Sequence, residues 1–342
     1  MAEKQTKELT PETVDFDHLE NYTLTELAHL SDRGDSFIVR PDWMKKLDEY
    51  FTTVDISEWL AEEAEAHDAS IQNWIAFFYQ NGSGKVEQNI EKYLEWIKKS
   101  AEQGNEFAQC SLGQYYLNDS HGVEENIPKG KNLLEKVAES ATALAIKAHA
   151  LYSLGFYYAK VTKNYGLDEA EKAFHYFKLA AENGLPAACG TLGYCYLEEF
   201  GCKKDESEAF SCFKKGAECE DTFSAYWLGV CYYDGIGTTA NPEKAFEWNL
   251  RAAKAGYREA QFIVGAFFAN GEHVKQDYVE ASHWFSKAVE NGNTEAKFTL
   301  GLLYLNGTGV PQNEEHGLSL IQQAAEEGDE DAKSWLEGKT EK

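Results

Sequence analysis

The chain has 342 residues, 43% of them hydrophobic and 26% charged, which excludes global disorder and leaves room for two ordinary domains or one elongated array. Its 58 Asp and Glu against 32 Lys and Arg give a formal charge of −26; such a surface repels phosphate backbones and anionic headgroups and argues against nucleic acid or membrane as partner. Six prolines, 27 glycines and 13% aromatics predict helices punctuated by glycine, an all-α protein.

The opening MAEKQTKELTPETVDFDHLE carries no apolar run of the kind a secretory leader needs, and no stretch approaches the ~20 apolar residues of a spanning helix. A cytoplasmic protein without membrane attachment is expected. Within residues 1–65, Trp43, Leu47, Tyr50 and Phe51, then Ile56, Trp59 and Leu60, sit at helical spacing. They predict an N-terminal helical cap.

From there a repeat takes over. Leu112-Gly113-Tyr116, Leu154-Gly155-Tyr158, Leu192-Gly193-Tyr196, Leu228-Gly229-Tyr232, Val264-Gly265-Phe268 and Leu300-Gly301-Tyr304 place one pattern at glycine spacings of 42, 38, 36, 36 and 36. A degenerate copy, Ile75-Ala76-Tyr79, precedes them. Small-residue turns at Gly104, Gly184, Gly256, Gly292 and Gly328 close the units, while Glu220 stands where the third clear unit lacks its glycine.

Residues 293–328 show the physics of one unit. Ala296, Leu300, Gly301 and Tyr304 share a face of a first helix, A, whose small residues admit a close partner. Asn306-Gly307-Thr308-Gly309 breaks it, and Val310-Pro311 holds the chain extended. From about Asn313 a second helix, B, carries Leu318, Ile321, Ala324 and Ala325 and ends at Gly328. Neither stripe is buried alone, so the units must stack on their neighbours.

The pattern A-x-x-x-L-G-x-x-Y-x-x-G-x-G-V, followed by an alanine-rich helix ending A-A-x-x-G, resembles the Sel-one-like repeat, a relative of the tetratricopeptide repeat. The resemblance implies a right-handed α/α superhelical solenoid of about seven helix pairs: 66–104, 105–147, 148–184, 185–220, 221–256, 257–292 and 293–328. A capping helix at 329–336 and a tail at 337–342 follow. The 105–147 unit departs through a longer connection from Asp119 to Lys129. Secreted, disulfide-stapled members carry paired cysteines in each repeat; here only Cys195 and Cys231 are equivalent, so that subgroup is not matched. The resemblance further implies an adaptor or scaffold without catalytic residues or cofactors, displaying a concave surface lined by A helices.

Other motifs point to no chemistry. Gly82-Ser83-Gly84-Lys85 lacks the first glycine and the hydroxyl of a phosphate loop, with Tyr79 and Val86 in their places. No HExxH occurs among nine histidines, and seven cysteines without a CxxC pair predict reduced, mostly buried thiols rather than disulfides or zinc. Cys110 and His149 lie on successive A helices without a local signature of a nucleophile. The acidic charge concentrates at the ends: residues 1–66 hold 17 acidic and 6 basic side chains, and residues 311–342 hold 9 and 3. Terminal polarity of this kind keeps a solenoid soluble.

The binding candidates form a column. In tetratricopeptide-like units, the residues two before the Leu or Val and one after the Gly turn toward the concave surface. These positions give Tyr152, Phe156, Tyr194, Tyr226, Phe262 and Phe298 as groove candidates, with wedging between successive A helices as the competing role. The expected function is non-enzymatic recognition of a protein or peptide, with preference for a basic one. A hydrolase using a groove Cys or carboxylate, and a chaperone or regulator sequestering one protein, are the alternatives.

Overall fold

The computed structural model describes residues 13–27, 46, 49–51, 53, 68–82, 86–118, 122–165 and 167–340. Contacts divide the chain into two units, residues 1–185 and 186–342. The first contains α1 (Ala69–Asn81), α2 (Ile90–Glu102), α3 (Glu106–Asn118), α4 (Ile127–Ser140), α5 (Leu144–Tyr165) and α6 (Leu167–Glu182). The second contains α7 (Pro186–Leu197), α8 (Glu206–Glu218), α9 (Thr222–Asp234), α10 (Pro242–Lys254), α11 (Arg258–Asn270), α12 (Tyr278–Glu290), α13 (Thr294–Asn306), α14 (Glu314–Glu326) and α15 (Glu330–Thr340). Among the described residues there is no strand, and within each unit every helix packs on the next in the chain. The fold is an all-α solenoid of paired repeats.

Glycine sets the spacing inside each pair. A Cβ at Gly113 would lie 2.8 Å from Leu134 Cγ, at Gly155 2.6 Å from the Phe177 ring, and at Gly193 2.8 Å from Phe213. Gly265 receives Phe285 at 2.7 Å and Gly301 receives Ile321 at 2.6 Å. A side chain from helix B thus fills the place that any other residue on helix A would occupy. Leu112, Leu154, Leu192, Leu228, Val264 and Leu300 beside these glycines are all buried, so the Leu-Gly pair forms the centre of each repeat's core.

The second constraint is a cap that doubles as a clasp. Asn89, Asn126, Asp205, Asn241, Asp277 and Asn313 begin the B helices, their side chains accepting first-turn backbone N–H groups. Their own backbone N–H groups donate to the carbonyls of Tyr79, Tyr116, Tyr196, Tyr232, Phe268 and Tyr304 at 2.7–3.1 Å. The aromatic anchor of helix A therefore ties down the start of helix B. Between them, Gly237 at φ 65° and Gly309 at φ 73° let the loop lie against the preceding B helix, where a Cβ would come within 2.0 Å of the Glu206 and Tyr278 carbonyl oxygens.

In the first unit, α5 is a 22-residue helix. Gly155 is its twelfth residue, whereas Gly229 is the eighth of α9. The four residues added at its start account for most of the excess of the 42-residue spacing over 36. The expected long connection includes residues 119–121, which lie outside the described residues, as do Trp43, Leu47, Ile56, Trp59 and Leu60 of the expected cap. The described part of that segment packs on α1: Phe51 is fully buried, its ring 4.5 Å from Trp74 and 5.6 Å from Phe78. Residues 83–85 of the glycine-serine-glycine-lysine stretch also lie outside.

Glu220, standing in place of a closing glycine, adopts φ 63°, the left-handed sign that Gly104, Gly184, Gly256, Gly292 and Gly328 adopt in their own turns. A side chain there costs about 1 kcal/mol, so Glu220→Gly is expected to stabilise the chain by about 0.5–1 kcal/mol, a rise of a few degrees in Tm. Gly265→Leu is expected to do the reverse, losing about 1–3 kcal/mol by overpacking against Phe285. Urea unfolding checks both; an unchanged midpoint for Gly265→Leu would remove glycine from its role as the contact point.

Candidate functional site

In the first unit, Tyr152 and Phe156 lie one turn apart on α5. Phe156 is 51% exposed, and its ring stands edge-on to Tyr152 at 4.7 Å and to Phe177 at 5.2 Å. Tyr152, half-buried, meets the same Phe177 at 5.7 Å. The side chain seated on Gly155 is thus the floor on which both rings rest. The preceding repeat offers Gln114 at the equivalent of Phe156, and its amide donates across to Ser153 Oγ at 2.7 Å.

In the second unit Tyr194 is 40% exposed and leans on Trp227 at 5.4 Å and Phe223 at 6.3 Å. Trp227 stacks on Phe213, the side chain seated on Gly193, at 5.8 Å and 13°, and its buried indole Nε1 has no hydrogen-bond acceptor. Half-buried Tyr226 contacts Trp227 at 5.5 Å and Tyr257 at 4.9 Å. Burial, helped by the Glu259 and Glu295 carboxylates, pushes the Tyr226 phenol up, and the neighbouring Tyr257 phenol rises to about 12. Trp227, Phe223 and Tyr257 were not among the sequence candidates. Trp227 directly precedes Leu228, and Phe223 lies four residues earlier on the same helix, which is the spacing that would have revealed them.

Phe262 and Phe298 are half-buried. Phe262 packs at 5.6 Å on Phe285, and Phe298 rests on the cluster of Ile321, Ala324 and Ala332. Both reach the wall of an open cleft of about 650 Å³ that also carries Glu295, Glu327, Asp329, Glu330 and Asp331. Lys297 and Thr294 donate to Glu327 and hold its carboxyl below the usual range. This cleft joins aromatic surface to carboxylates in one place.

The Sel1 repeat family model matches residues 70–105, 107–141, 148–185, 186–221, 222–257, 258–293 and 294–329. The chain belongs to the Sel1 repeat family. Its structure is similar to a Sel1 repeat protein from Oxalobacter formigenes, with 26% identity and a TM-score of 0.64 over 99% of this chain and 98% of that one. It is also similar to a protective antigen of uropathogenic Escherichia coli strains displaying an SLR fold, with 25% identity and a TM-score of 0.50 over 82% of this chain and 66% of that one. No curated protein matches the chain. Sel1 repeat proteins generally mediate protein–protein interaction, and the fold is typically a non-enzymatic scaffold.

Six of the seven thiols of this Sel1 array are poorly suited to catalysis. Burial pushes Cys110, Cys195, Cys212 and Cys231 up to about 12, and Cys189 and Cys202 also rise; a nucleophilic thiol needs the opposite shift. Burial pulls His149 down. Among the described residues no group of His, Cys, Asp or Glu is placed to hold a metal, and no helix is long and apolar enough to cross a membrane.

These thiols make stability pH-dependent in a defined direction. Unfolded, they release protons near the ordinary thiol value of 9; folded, the four most raised hold them to about 12. Between those values the folded state binds more protons, so its stability is present in full below the lower one and is lost as pH rises. The urea midpoint is expected to fall between about pH 8 and about pH 10.5. A constant midpoint would mean that the thiols are accessible in the folded chain.

Proposed function

We propose that the chain is a non-enzymatic interaction scaffold whose A-helix faces bind an extended peptide or a partner helix, with preference for basic sequences. The observation that carries this reading is the meeting of Phe262 and Phe298 with Glu295, Glu327, Asp329, Glu330 and Asp331 in one open cleft. Aromatic rings supply contact area at low entropic cost, and the carboxylates steer a cationic partner and repel an anionic one. Exposed Tyr194 in the same unit adds a further anchor, and exposed Phe156 gives the first unit an anchor of its own. Seven free thiols suit a reducing compartment such as the cytoplasm.

Panning a random peptide library against the immobilised chain, and measuring the selected peptides by calorimetry, tests the proposal. Selected peptides are expected to be rich in Lys or Arg. Tyr194→Ala and Phe298→Ala are each expected to weaken binding by about 1–2 kcal/mol, roughly tenfold, while Tyr194→Ala leaves Tm nearly unchanged. Association is expected to slow several-fold between about 0.05 and 0.5 M salt. Selection of acidic peptides, or binding indifferent to both substitutions, would defeat the reading.

A further inference from the structure

One repeat breaks the rule that an apolar side chain seats on the helix-A glycine. Where Leu134, Phe177, Phe213, Phe285 and Ile321 fill that place in the other clear repeats, Gly229 receives Asn249 of α10, whose Nδ2 lies 2.3 Å from the site of a Cβ. Asn249 is 1% exposed. Its Nδ2 donates to the Ala245 carbonyl at 2.9 Å, and its Oδ1 accepts no hydrogen bond.

This side chain forms the floor of a cavity of about 340 Å³ between α9 and α11. The space exists because the residues following the two repeat glycines are the small Val230 and Ala266, where other repeats carry Phe156, Tyr194 or Leu302. Ile263 and Phe267 complete the apolar walls, and exposed Tyr233, Asp234, Asn270 and Glu272 surround the opening. The Tyr233 hydroxyl donates to Glu272 Oε2 at 3.2 Å. Among the described residues, the ion pairs of this unit engage other carboxylates, those of Glu206, Glu218, Glu259, Glu327 and Glu330.

A buried acceptor below apolar walls and an acidic opening sets three requirements for an occupant: a donor at its tip, an apolar stem and a positive charge. We propose that the cavity is a side-chain pocket for one arginine of an extended partner peptide, read by Asn249. The guanidinium has five donors in a planar fork, enough to satisfy Oδ1 and a rim carboxylate together, and it sheds water more readily than an ammonium. Its methylenes lie along Val230, Ile263 and Ala266. An anionic side chain is repelled by Asp234 and Glu272, and an aliphatic one leaves Oδ1 unanswered. The assignment rests on the interaction reading above and gives it one specificity-determining residue.

The test titrates the full, isotope-labelled chain with capped Gly-Gly-Arg-Gly-Gly and with its citrulline and lysine counterparts, followed by NMR. The arginine peptide is expected to saturate and to shift the Asn249 side-chain amide, with the uncharged citrulline peptide at least tenfold weaker and the lysine peptide between them. Asn249→Leu, which restores the side chain that Leu134 provides elsewhere, is expected to melt higher than the parent and to lose at least tenfold in affinity. Ala266→Leu, which fills the cavity from the opposite wall and leaves Asn249 in place, is expected to lose as much. Equal binding of arginine and citrulline peptides, or parental affinity in a folded Asn249→Leu or Ala266→Leu chain, overturns the pocket. Library-selected peptides that respond to Tyr194→Ala or Phe298→Ala but not to Asn249→Leu would overturn it while leaving the scaffold reading intact.

Discussion

The structure depends on one contact, the seating of a helix-B side chain on a helix-A glycine. With no Cβ in the way, Phe285 or Ile321 reaches the backbone of its partner helix, and the two axes approach more closely than larger residues permit. That approach brings the carbonyl of the aromatic anchor within reach of the capping residue of helix B, as in the 2.7 Å bond from Asn241 to Tyr232. Contact and clasp reinforce each other: the first fixes the separation of the helices, the second fixes where helix B starts. Repeating both produces a solenoid within each unit, since the outer stripe of every pair remains apolar until the next pair covers it.

Much of this was legible because it is periodic. Glycines at intervals of 36, followed three residues later by an aromatic, mark helix A, its core face and its break. Less legible was which side chain of helix B meets the glycine. It lies 20 residues on in four repeats but 21 and 22 residues on in those of Gly113 and Gly155, and it is variously Leu, Phe, Asn or Ile. A position that demands only bulk leaves a weak signature. Glu220 was legible only by register: the period places it in the closing turn, but its own chemistry does not announce the left-handed backbone that it adopts there.

The candidate surface was legible by position and less so by environment. Tyr194 and Phe156 are exposed, while Tyr152, Tyr226, Phe262 and Phe298 are half-buried because neighbouring rings and aliphatic side chains share their space. Trp227 entered unannounced for a related reason: its ring covers Phe213, a contact between neighbouring repeats that its place beside Leu228 on the helix only hints at and that the seating of Phe213 on Gly193 completes. Residues on successive helices come together through the stacking of repeats, and a linear sequence records that only through its period.

Repeat architecture also explains how a polar residue survives where every other clear repeat places an apolar one. A buried amide oxygen without a donor costs about 1–3 kcal/mol, and in a protein with one central core such a defect would loosen every element around it. Here Asn249 faces Gly229 of its own repeat and the cavity beside α11, so its cost falls within one repeat and at that repeat's interface with the next. The adjacent seats of Phe213 and Phe285 keep their apolar contacts and hold that interface from both sides. Because stability is divided among repeats, one of them can carry a chemically distinct site without the loss spreading along the array. The small Val230 and Ala266 open space above Asn249, and the same division of stability tolerates their poorer packing.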